Sequence, residues 1–300
     1  MKRILIIIVL SLSFVCIGQS KKIYKTSEVD TINGLFYSSK DSKLLTGILV
    51  SYNISGDKKV QETTFKEGIP EGLAKEWYDN GRLKQELTFK NGLPEGLAKE
   101  WYENGRLKQE LTIKDGIGEG LNRMWYDNGQ LEQEMIFNNN LPTGLARLWH
   151  ENGQLKQEST FKDGKQDGLF REWYENGQIR QEYTFMEGSL KGLTRVWYEN
   201  GQLRNEKYFK DGVPDGLDKQ WFENGKLKVK TIWKKNSNEG VSEEYYESGQ
   251  LKSKGVCIHE IQEDNKSYKK NGVWEEFNEK GELKAKTTYR FGVQVKKEGF

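Results

Sequence analysis

Short runs in which apolar and polar residues alternate make up most of the chain, and each run ends at a turn that contains glycine. The stretch from Gly72 to Phe89, GLAKEWYDNGRLKQELTF, shows the pattern. Alternation with a period of two is typical of β-strands, because successive side chains point to opposite faces of a sheet. Asn80-Gly81 between two such runs predicts a β-hairpin with a type I′ turn, in which both central residues have positive φ.

The hairpin pattern returns every 24 residues. Seven tryptophans mark this period, at Trp77, Trp101, Trp125, Trp149, Trp173, Trp197 and Trp221. An Asn-Gly dipeptide follows three residues after each of them, and the 4 prolines share one position just before the glycine that begins a unit. These prolines indicate linkers between hairpins. The sequence therefore predicts an all-β fold, an elongated antiparallel sheet of about nine to ten tandem β-hairpin repeats.

The turn position fixes which residues face each other. With Asn80 and Gly81 as the turn residues, a basic residue opposes an acidic one in six successive hairpins: Lys75-Glu86, Lys99-Glu110, Arg123-Glu134, Arg147-Glu158, Arg171-Glu182 and Arg195-Glu206. The seventh hairpin breaks the rule, with Lys219 facing Lys230, and the eighth restores it with Glu243 facing Lys254. Opposed charges of this kind support the register.

The same register places a second basic row opposite the tryptophans, with Lys84 facing Trp77. This arrangement predicts cation–π contacts between the two rows. The alternative is a solvated face on which lysine stems cover the indole rings.

Some facing pairs vary from hairpin to hairpin and are candidates for partner specificity. They are Ala74-Leu87, Ala98-Leu111, Asn122-Met135, Ala146-Ser159, Phe170-Tyr183, Thr194-Lys207 and Asp218-Thr231. We take the seven tryptophans together with Phe170 and Tyr183 as the candidate partner-binding residues.

The first residues predict export. Lys2 and Arg3 precede an apolar run from Ile4 to about Ile17, which is typical of a signal peptide cleaved near Gly18-Gln19. A lipoprotein anchored through Cys16 is disfavoured, since bulky Phe14 and Val15 precede that cysteine. We expect a periplasmic, cell-envelope or secreted protein.

The predicted domain organisation follows from the repeats. It comprises a signal peptide at 1–18, an N-terminal linker at 19–33, tandem repeats at 34–254, an inserted segment at 255–272 and a C-terminal capping repeat at 273–300.

Composition excludes some classes of partner. Loss of Lys2 and Arg3 with the signal peptide brings the formal charge of +2 to zero. A neutral chain has no general attraction for phosphate backbones or anionic lipid, so neither nucleic-acid binding nor strong membrane-surface binding is expected.

Candidate chemistry is sparse. Of the 2 histidines, His150 takes the place of the tyrosine that usually follows the tryptophan, and His259 lies two residues after Cys257. Cys257 and His259 supply two ligands where a structural zinc needs four, so we predict no metal, no cofactor and no catalytic residue.

The repeated motif G-L-x-K/R-x-W-Y-x-N-G-x-L-x-x-E-x-x-F-x-x-G resembles the bacterial variant of the MORN repeat family over nearly all of residues 34 to 291. The resemblance implies an elongated sheet of successive hairpins that contacts proteins or membranes. Many bacterial members are described as antitoxins, whereas a signal peptide is at odds with the neutralisation of a cytoplasmic toxin.

The leading hypothesis is an exported, non-catalytic repeat scaffold that binds an unidentified protein partner and resembles antitoxin-like or immunity-like proteins. The first alternative is an envelope protein that binds a polysaccharide through the tryptophan row. The second is an enzyme centred on Cys257 and His259.

Overall fold

The structure, a computed structural model, describes residues 21–210, 212–235, 237–260 and 267–300. The predicted signal peptide and part of the predicted insertion at 255–272 therefore lie outside the described residues. Within them, the only helical element is a 3-10 turn at Thr26–Glu28, and no helix is long and apolar enough to cross a bilayer.

The described residues form twenty-five strands. In chain order they are β1 (Ile23–Lys25), β2 (Val29–Ile32), β3 (Leu35–Ser38), β4 (Gly47–Tyr52), β5 (Lys59–Lys66), β6 (Ile69–Trp77), β7 (Leu83–Lys90), β8 (Leu93–Trp101), β9 (Leu107–Lys114), β10 (Ile117–Trp125), β11 (Leu131–Asn138), β12 (Leu141–Trp149), β13 (Leu155–Lys162), β14 (Lys165–Trp173), β15 (Ile179–Met186), β16 (Ser189–Leu190), β17 (Gly192–Trp197), β18 (Leu203–Lys210), β19 (Val213–Trp221), β20 (Leu227–Trp233), β21 (Glu239–Tyr245), β22 (Leu251–Glu260), β23 (Ser267–Phe277), β24 (Leu283–Arg290) and β25 (Val293–Gly299).

Strand order follows chain order. From β4 to β25 successive strands pair antiparallel, except that the short β16 and β17 both pair with β15. Strand β1 adds to β4 in parallel, which gives one open sheet of 23 strands. Strands β2 and β3 form a separate hairpin. The prediction of an all-β, elongated antiparallel sheet is confirmed. The segment predicted as a linker, 19–33, contains all of β1 and β2, and the inserted segment lengthens β22 and β23.

The turn at each Asn-Gly pair differs from the predicted type I′ turn. Gly81 has a φ of 83°, but Asn80 is not among the residues with positive φ. The Gly81 N–H donates to the Tyr78 carbonyl at 2.8 Å, and the Tyr78 N–H donates to the Arg82 carbonyl at 2.9 Å. The connection is therefore a four-residue turn followed by a glycine bulge, which needs positive φ at the glycine alone.

Turns with positive φ at both central residues lie at the opposite end of the hairpins. Glu67-Gly68 has φ values of 50° and 79°, and Asn91-Gly92 has 51° and 80°. These positions were predicted as linkers, but they are two-residue turns between adjacent strands. Pro70 lies inside β6 and faces Phe65 across the pair. The hairpins from β6 to β15 thus have tight turns at both ends, which is why a repeat needs only 24 residues.

The predicted register is confirmed in the middle of each hairpin and shifts near the tryptophan. Ala74 pairs with Leu87, Lys75 with Glu86 and Glu76 with Gln85, but Trp77 pairs with Leu83 instead of Lys84. The shift is a β-bulge that leaves Lys84 as an extra residue. Because a bulge interrupts the alternation of side chains, the predicted faces of Leu83 and Lys84 are wrong.

The two faces of the sheet differ in exposure. The row that begins with Ala74 is buried in most repeats, at Ala74, Asn122, Ala146, Thr194, Asp218, Ser242 and Trp274. The adjacent row that begins with Leu73 is exposed. A single-layer sheet buries one face only where it curves around that face. We call the side of Ala74 the inner face and the side of Leu73, Lys75 and Trp77 the outer face.

Tyrosine hydroxyls connect successive hairpins. The ladder between β7 and β8 stops at Gln85 and Glu100, so the Trp101 carbonyl, one residue further, requires another donor. The Tyr78 hydroxyl supplies it at 2.7 Å. The same bond joins Tyr102 to Trp125, Tyr126 to Trp149, Tyr174 to Trp197, Tyr198 to Trp221 and Tyr246 to Phe277.

One histidine preserves this connection, and one phenylalanine interrupts it. His150 places Nε2 3.1 Å from the Trp173 carbonyl, where the other repeats place a hydroxyl. Its substitution for tyrosine therefore has a structural reason. Phe222 stands at the same repeat position without a hydroxyl to donate.

The turn asparagines form a second connection. The Asn80 side chain accepts from the Arg82 N–H at 2.9 Å and donates to the Glu103 carbonyl of the next hairpin at 3.1 Å. Asn104, Asn128, Asn152, Asn176 and Asn200 make the same bond to the following hairpin. Asparagine is therefore repeated for its amide group, not for a left-handed backbone.

We expect the substitution Tyr126→Phe to lower the free energy of unfolding by about 0.5 to 1.5 kcal/mol, since the Trp149 carbonyl loses its donor. Phe222→Tyr should raise it by a similar amount, because it adds a donor toward the Tyr245 carbonyl. Urea denaturation followed by circular dichroism measures both changes. Equal midpoints for the two variants and the parent would show that the hydroxyls do not stabilise the array.

Candidate functional site

The seven candidate tryptophans are half-buried on the outer face. Lysines of that face lie over several rings in this column: Lys59 Nζ is 4.3 Å from the Trp77 ring centroid, and Lys219 Nζ is 6.0 Å from that of Trp221. Lys254 lies in the same way over Phe277, which takes the tryptophan position, at 5.7 Å. Of the seven tryptophans, Trp77 and Trp221 therefore have one ring face next to a lysine ammonium group.

The predicted cation–π pairing between the second basic row and the tryptophans is wrong. Because of the bulge, Lys84 turns toward the inner face, where its Nζ lies 2.7 Å from Glu76 Oε1. Equivalent residues lie over the tyrosine that follows each tryptophan, with Arg180 5.7 Å from the Tyr174 ring and Arg204 5.5 Å from the Tyr198 ring. The row therefore belongs to the same face as the tyrosines.

Alternating charges form a ladder across the outer face. All six predicted pairs are present as ion pairs, from Lys75–Glu86 at 2.9 Å to Arg195–Glu206 at 3.0 Å. The register continues between hairpins, since Glu86 also faces Lys99. Exposed pairs of this kind contribute at most about 1 kcal/mol each, so the ladder specifies strand register more than it stabilises the fold.

An exposed apolar stripe runs beside the charge ladder, and the pattern of the sequence predicts no function for it. Its members are Leu73, Leu97, Leu145, Leu193, Leu217, Val241 and Val273, with 37% to 55% of each residue exposed. Leu121 and Leu169 occupy the same repeat position and are half-buried. Alternation alone could place these residues on one face with Trp77. Only the exposure of these residues in the folded chain distinguishes this face from the buried one.

The variable pairs occupy the buried row and not an open surface. All are paired as predicted, but Ala74, Asn122, Ala146, Thr194 and Asp218 are buried. Their variation therefore changes packing on the inner face more than it changes an accessible surface.

Phe170 and Tyr183 form an aromatic cluster in this row. Their rings stack with centroids 5.7 Å apart, and Phe185 meets both edge-on. The Tyr183 hydroxyl donates to Gln181 at 2.6 Å, and burial raises the pKa of that hydroxyl. Both rings are half-buried, so they offer only their outer edges to a partner.

Cys257 lies in the apolar core at the C-terminal end of the array. It is fully buried with Trp233 and Trp274, and its thiol donates to the Gly240 carbonyl at 3.6 Å. Burial, reinforced by the negative charge of Asp218, raises the pKa of the thiol to about 12. His259, two residues further, is buried and meets the Trp233 ring edge-on at 5.7 Å. This arrangement packs the core and keeps the thiol protonated.

The position of the Trp274 side chain explains why residue 255 is a glycine. It occupies the repeat position of Ala74 and faces Gly255, which occupies the position of Leu87. A Cβ atom on Gly255 would lie 2.5 Å from the indole, so only glycine leaves room for the ring. Among the residues that the structure describes, no three His, Cys, Asp or Glu side chains are close enough to hold a metal ion.

These features define a tandem β-hairpin repeat protein whose outer face carries parallel rows of apolar, charged and aromatic side chains. The sequence profile described as MORN repeat variant matches nine segments, at residues 70–91, 94–115, 118–139, 142–163, 166–186, 190–211, 214–235, 238–256 and 270–290. The chain belongs to the MORN repeat variant family. No curated protein matches the chain.

Several solved structures are similar over long stretches at low sequence identity. The chain aligns to the TcdB2-TccC3 crystal structure with 10% identity, over 84% of this chain and 18% of that chain, at a TM-score of 0.17. The Photorhabdus luminescens Tc holotoxin pore aligns with 11% identity over 88% and 16%, at 0.18. A porin-like protein from Bacteroides uniformis aligns with 10% identity over 74% and 92%, at 0.17. This chain spans under a fifth of the toxin chains, and these TM-scores are too low to compare the arrangement of the repeats.

We expect the Cys257 thiol to remain unmodified by an aromatic disulfide reagent at pH 8 and to react fully in urea. Only the thiolate attacks such a reagent, and the raised pKa keeps the folded thiol neutral. The unfolded thiol ionises near its ordinary pKa of 9.0, so stability should fall as pH rises from about 9 toward 12. A Cys16→Ser background leaves one thiol to count, and rapid modification of the folded protein would contradict the burial.

Proposed function

We propose that this chain is an exported, non-catalytic scaffold that binds another protein through its outer face. The observation that carries the proposal is the exposed apolar stripe from Leu73 to Val273, which recurs across successive repeats of a single-layer sheet. Contiguous exposed apolar surface bordered by charges is typical of protein-interaction sites. The charge ladder beside the stripe provides that border.

The inner face supports a structural role better than a catalytic one. Its buried row is filled mainly by alanine, serine, threonine and tryptophan side chains, with Asn122 and Asp218 as its amide and carboxylate members. Cys257 and His259 lie in its core, and a thiol whose pKa is raised to about 12 is a poor nucleophile. The enzyme alternative therefore lacks an activated group at the site that the sequence singled out.

A protein partner is better supported than a polysaccharide. Sugar rings stack on open aromatic faces, but Lys59 and Lys219 lie over tryptophans of this row. The leucines beside the row are aliphatic and exposed, and they suit the apolar side chains of a protein. Binding of this kind is compatible with an immunity-like role, and the predicted signal peptide directs that role to the envelope or beyond.

The proposal is tested by comparing three baits with an envelope extract and culture medium of the source cells. The first is the parent protein. The second carries Leu145→Ser and Leu193→Ser, which remove two exposed members of the stripe. The third carries Glu151→Ser and Glu199→Ser at exposed turns of the same two hairpins, as a matched control. Circular dichroism and the urea midpoint establish that all three fold.

We expect at least one protein to be captured by the parent and the turn variant and lost from the leucine variant. Alanine scans of other interfaces show that truncating a central apolar residue costs about 1 to 2 kcal/mol or more, so two changes should reduce capture by more than tenfold. Identical capture by all three baits, or capture of nothing by the parent, would contradict binding through the stripe.

A further inference from the structure

The charge ladder has one fault, and it lies beside the broadest apolar part of the outer face. Lys219 on β19 directly faces Lys230 on β20. Lys230 approaches Glu243 at 3.4 Å on the next strand, and Arg195 binds the carboxylate of Glu206, which faces Lys219 on the other side. Within the described part of the chain, no ion pair includes Lys219. The fault therefore leaves one uncompensated positive charge on the outer face.

The apolar surface changes character at the same place. In four earlier hairpins the stripe leucine faces a threonine, as Leu73 faces Thr88. From β19 to β22 both facing residues are apolar: Leu217 faces Ile232, Ile232 faces Val241, and Val241 faces Val256. Leu217, Ile232 and Val241 are 39%, 51% and 48% exposed. We call Leu217, Ile232, Val241, Val256 and Val273 the C-terminal apolar patch.

A groove marks the far end of this patch. It has a volume of about 330 Å³ and is lined by Val241, Val256 and Val273, with Glu243, Lys254 and Glu275 at its sides. The groove lies where the register between β22 and β23 shifts at Val256. Aliphatic side chains of a partner suit such a floor, because removing apolar surface from water is favourable.

The two features lie next to each other on the same face. Lys219 is two residues along β19 from Leu217, and Lys230 is two residues along β20 from Ile232, so each lysine points to the side of its apolar neighbour. A ligand that places a carboxylate between the lysines therefore brings its adjacent groups onto the patch. A negatively charged group relieves the repulsion between the lysines, and the carboxylates of Asp and Glu are the negative charges that unmodified protein side chains carry at neutral pH.

We propose that the C-terminal apolar patch and the Lys219–Lys230 pair bind an extended protein segment in which carboxylate side chains alternate with aliphatic ones. The inference rests on the proposed function and names the chemistry of the partner at one part of the outer face. Nucleic acid suits this surface less well, since Glu243 and Glu275 border the groove and its floor is aliphatic.

The lysine pair is a functional feature if it lowers the stability of the fold and strengthens the binding of the peptide. Directly opposed like charges destabilise a sheet, so Lys219→Gln should leave the urea midpoint unchanged or raise it while it weakens binding. A lysine kept only for the fold would show the opposite response.

The experiment uses the full chain and a defined probe. Strands β19 to β23 span about 19 Å, which an extended peptide covers with roughly six to seven residues. The probe is a capped, fluorescent peptide of about that length that alternates valine and glutamate, and its control replaces each glutamate with glutamine. Fluorescence anisotropy measures binding to the parent, to Lys219→Gln with Lys230→Gln, to Ile232→Ser, and to Lys75→Gln with Lys99→Gln as the matched ladder control.

We expect the parent to bind the glutamate peptide about tenfold more tightly than the glutamine peptide, the scale of a lost charged hydrogen bond. The Lys219/Lys230 and Ile232 variants should each lose about as much, and the Lys75/Lys99 variant should lose none. No binding of the glutamate peptide, equal binding of both peptides, or equal losses in both lysine variants would overturn the proposal. Displacement of the peptide by an oligothymidylate of equal charge would also overturn it.

Failure here is distinguishable from failure of the proposed function. A captured partner that is lost on Leu145→Ser with Leu193→Ser, but retained by Lys219→Gln with Lys230→Gln, leaves the outer face as a binding surface and removes only this site.

Discussion

The structure depends on the hydrogen bonds that join each hairpin to the next. A lone two-stranded hairpin is marginal in water. Each unit is therefore held by its neighbours, as in other repeat proteins. The main-chain ladder supplies most of these bonds, and the Tyr78-type hydroxyls and Asn80-type amides extend them beyond the point where each ladder stops. The residues that recur from repeat to repeat are largely those that make these connections.

The bulge beside each tryptophan links this stabilisation to the surface. It ends the ladder one residue early and leaves a carbonyl that the tyrosine satisfies. It also turns Lys84 toward Glu76 on the inner face, which leaves Lys75, Trp77 and Leu73 on the outer face. A single irregularity, repeated every 24 residues, therefore both binds the repeats together and determines which side chains the outer face presents.

Departures from the repeat have structural reasons at some positions and none at others. His150 retains the bond to the next tryptophan carbonyl, and Trp274 fills the space that Gly255 leaves. Cys257 fits the core around Trp274. Lys219 opposite Lys230 breaks the alternation of charges between facing strands, and it lies beside the C-terminal apolar patch. A departure without a structural benefit on an exposed face is the best guide to where a partner is recognised.

The sequence by itself determined the all-β class, the 24-residue unit, the order of the strands and the register from Ala74 to Glu76, because alternation and opposed charges are local properties that survive in any sheet. The same local reasoning misplaced the turns, since a glycine bulge and a type I′ turn share the Asn-Gly signal and differ only in backbone angles. It also could not tell the two faces apart: Ala74 and Leu73 are adjacent small and aliphatic residues, yet one is buried and the other exposed. That choice belongs to the tertiary structure, because the exposure of a side chain depends on what the neighbouring strands place around it and not on its own repeat alone.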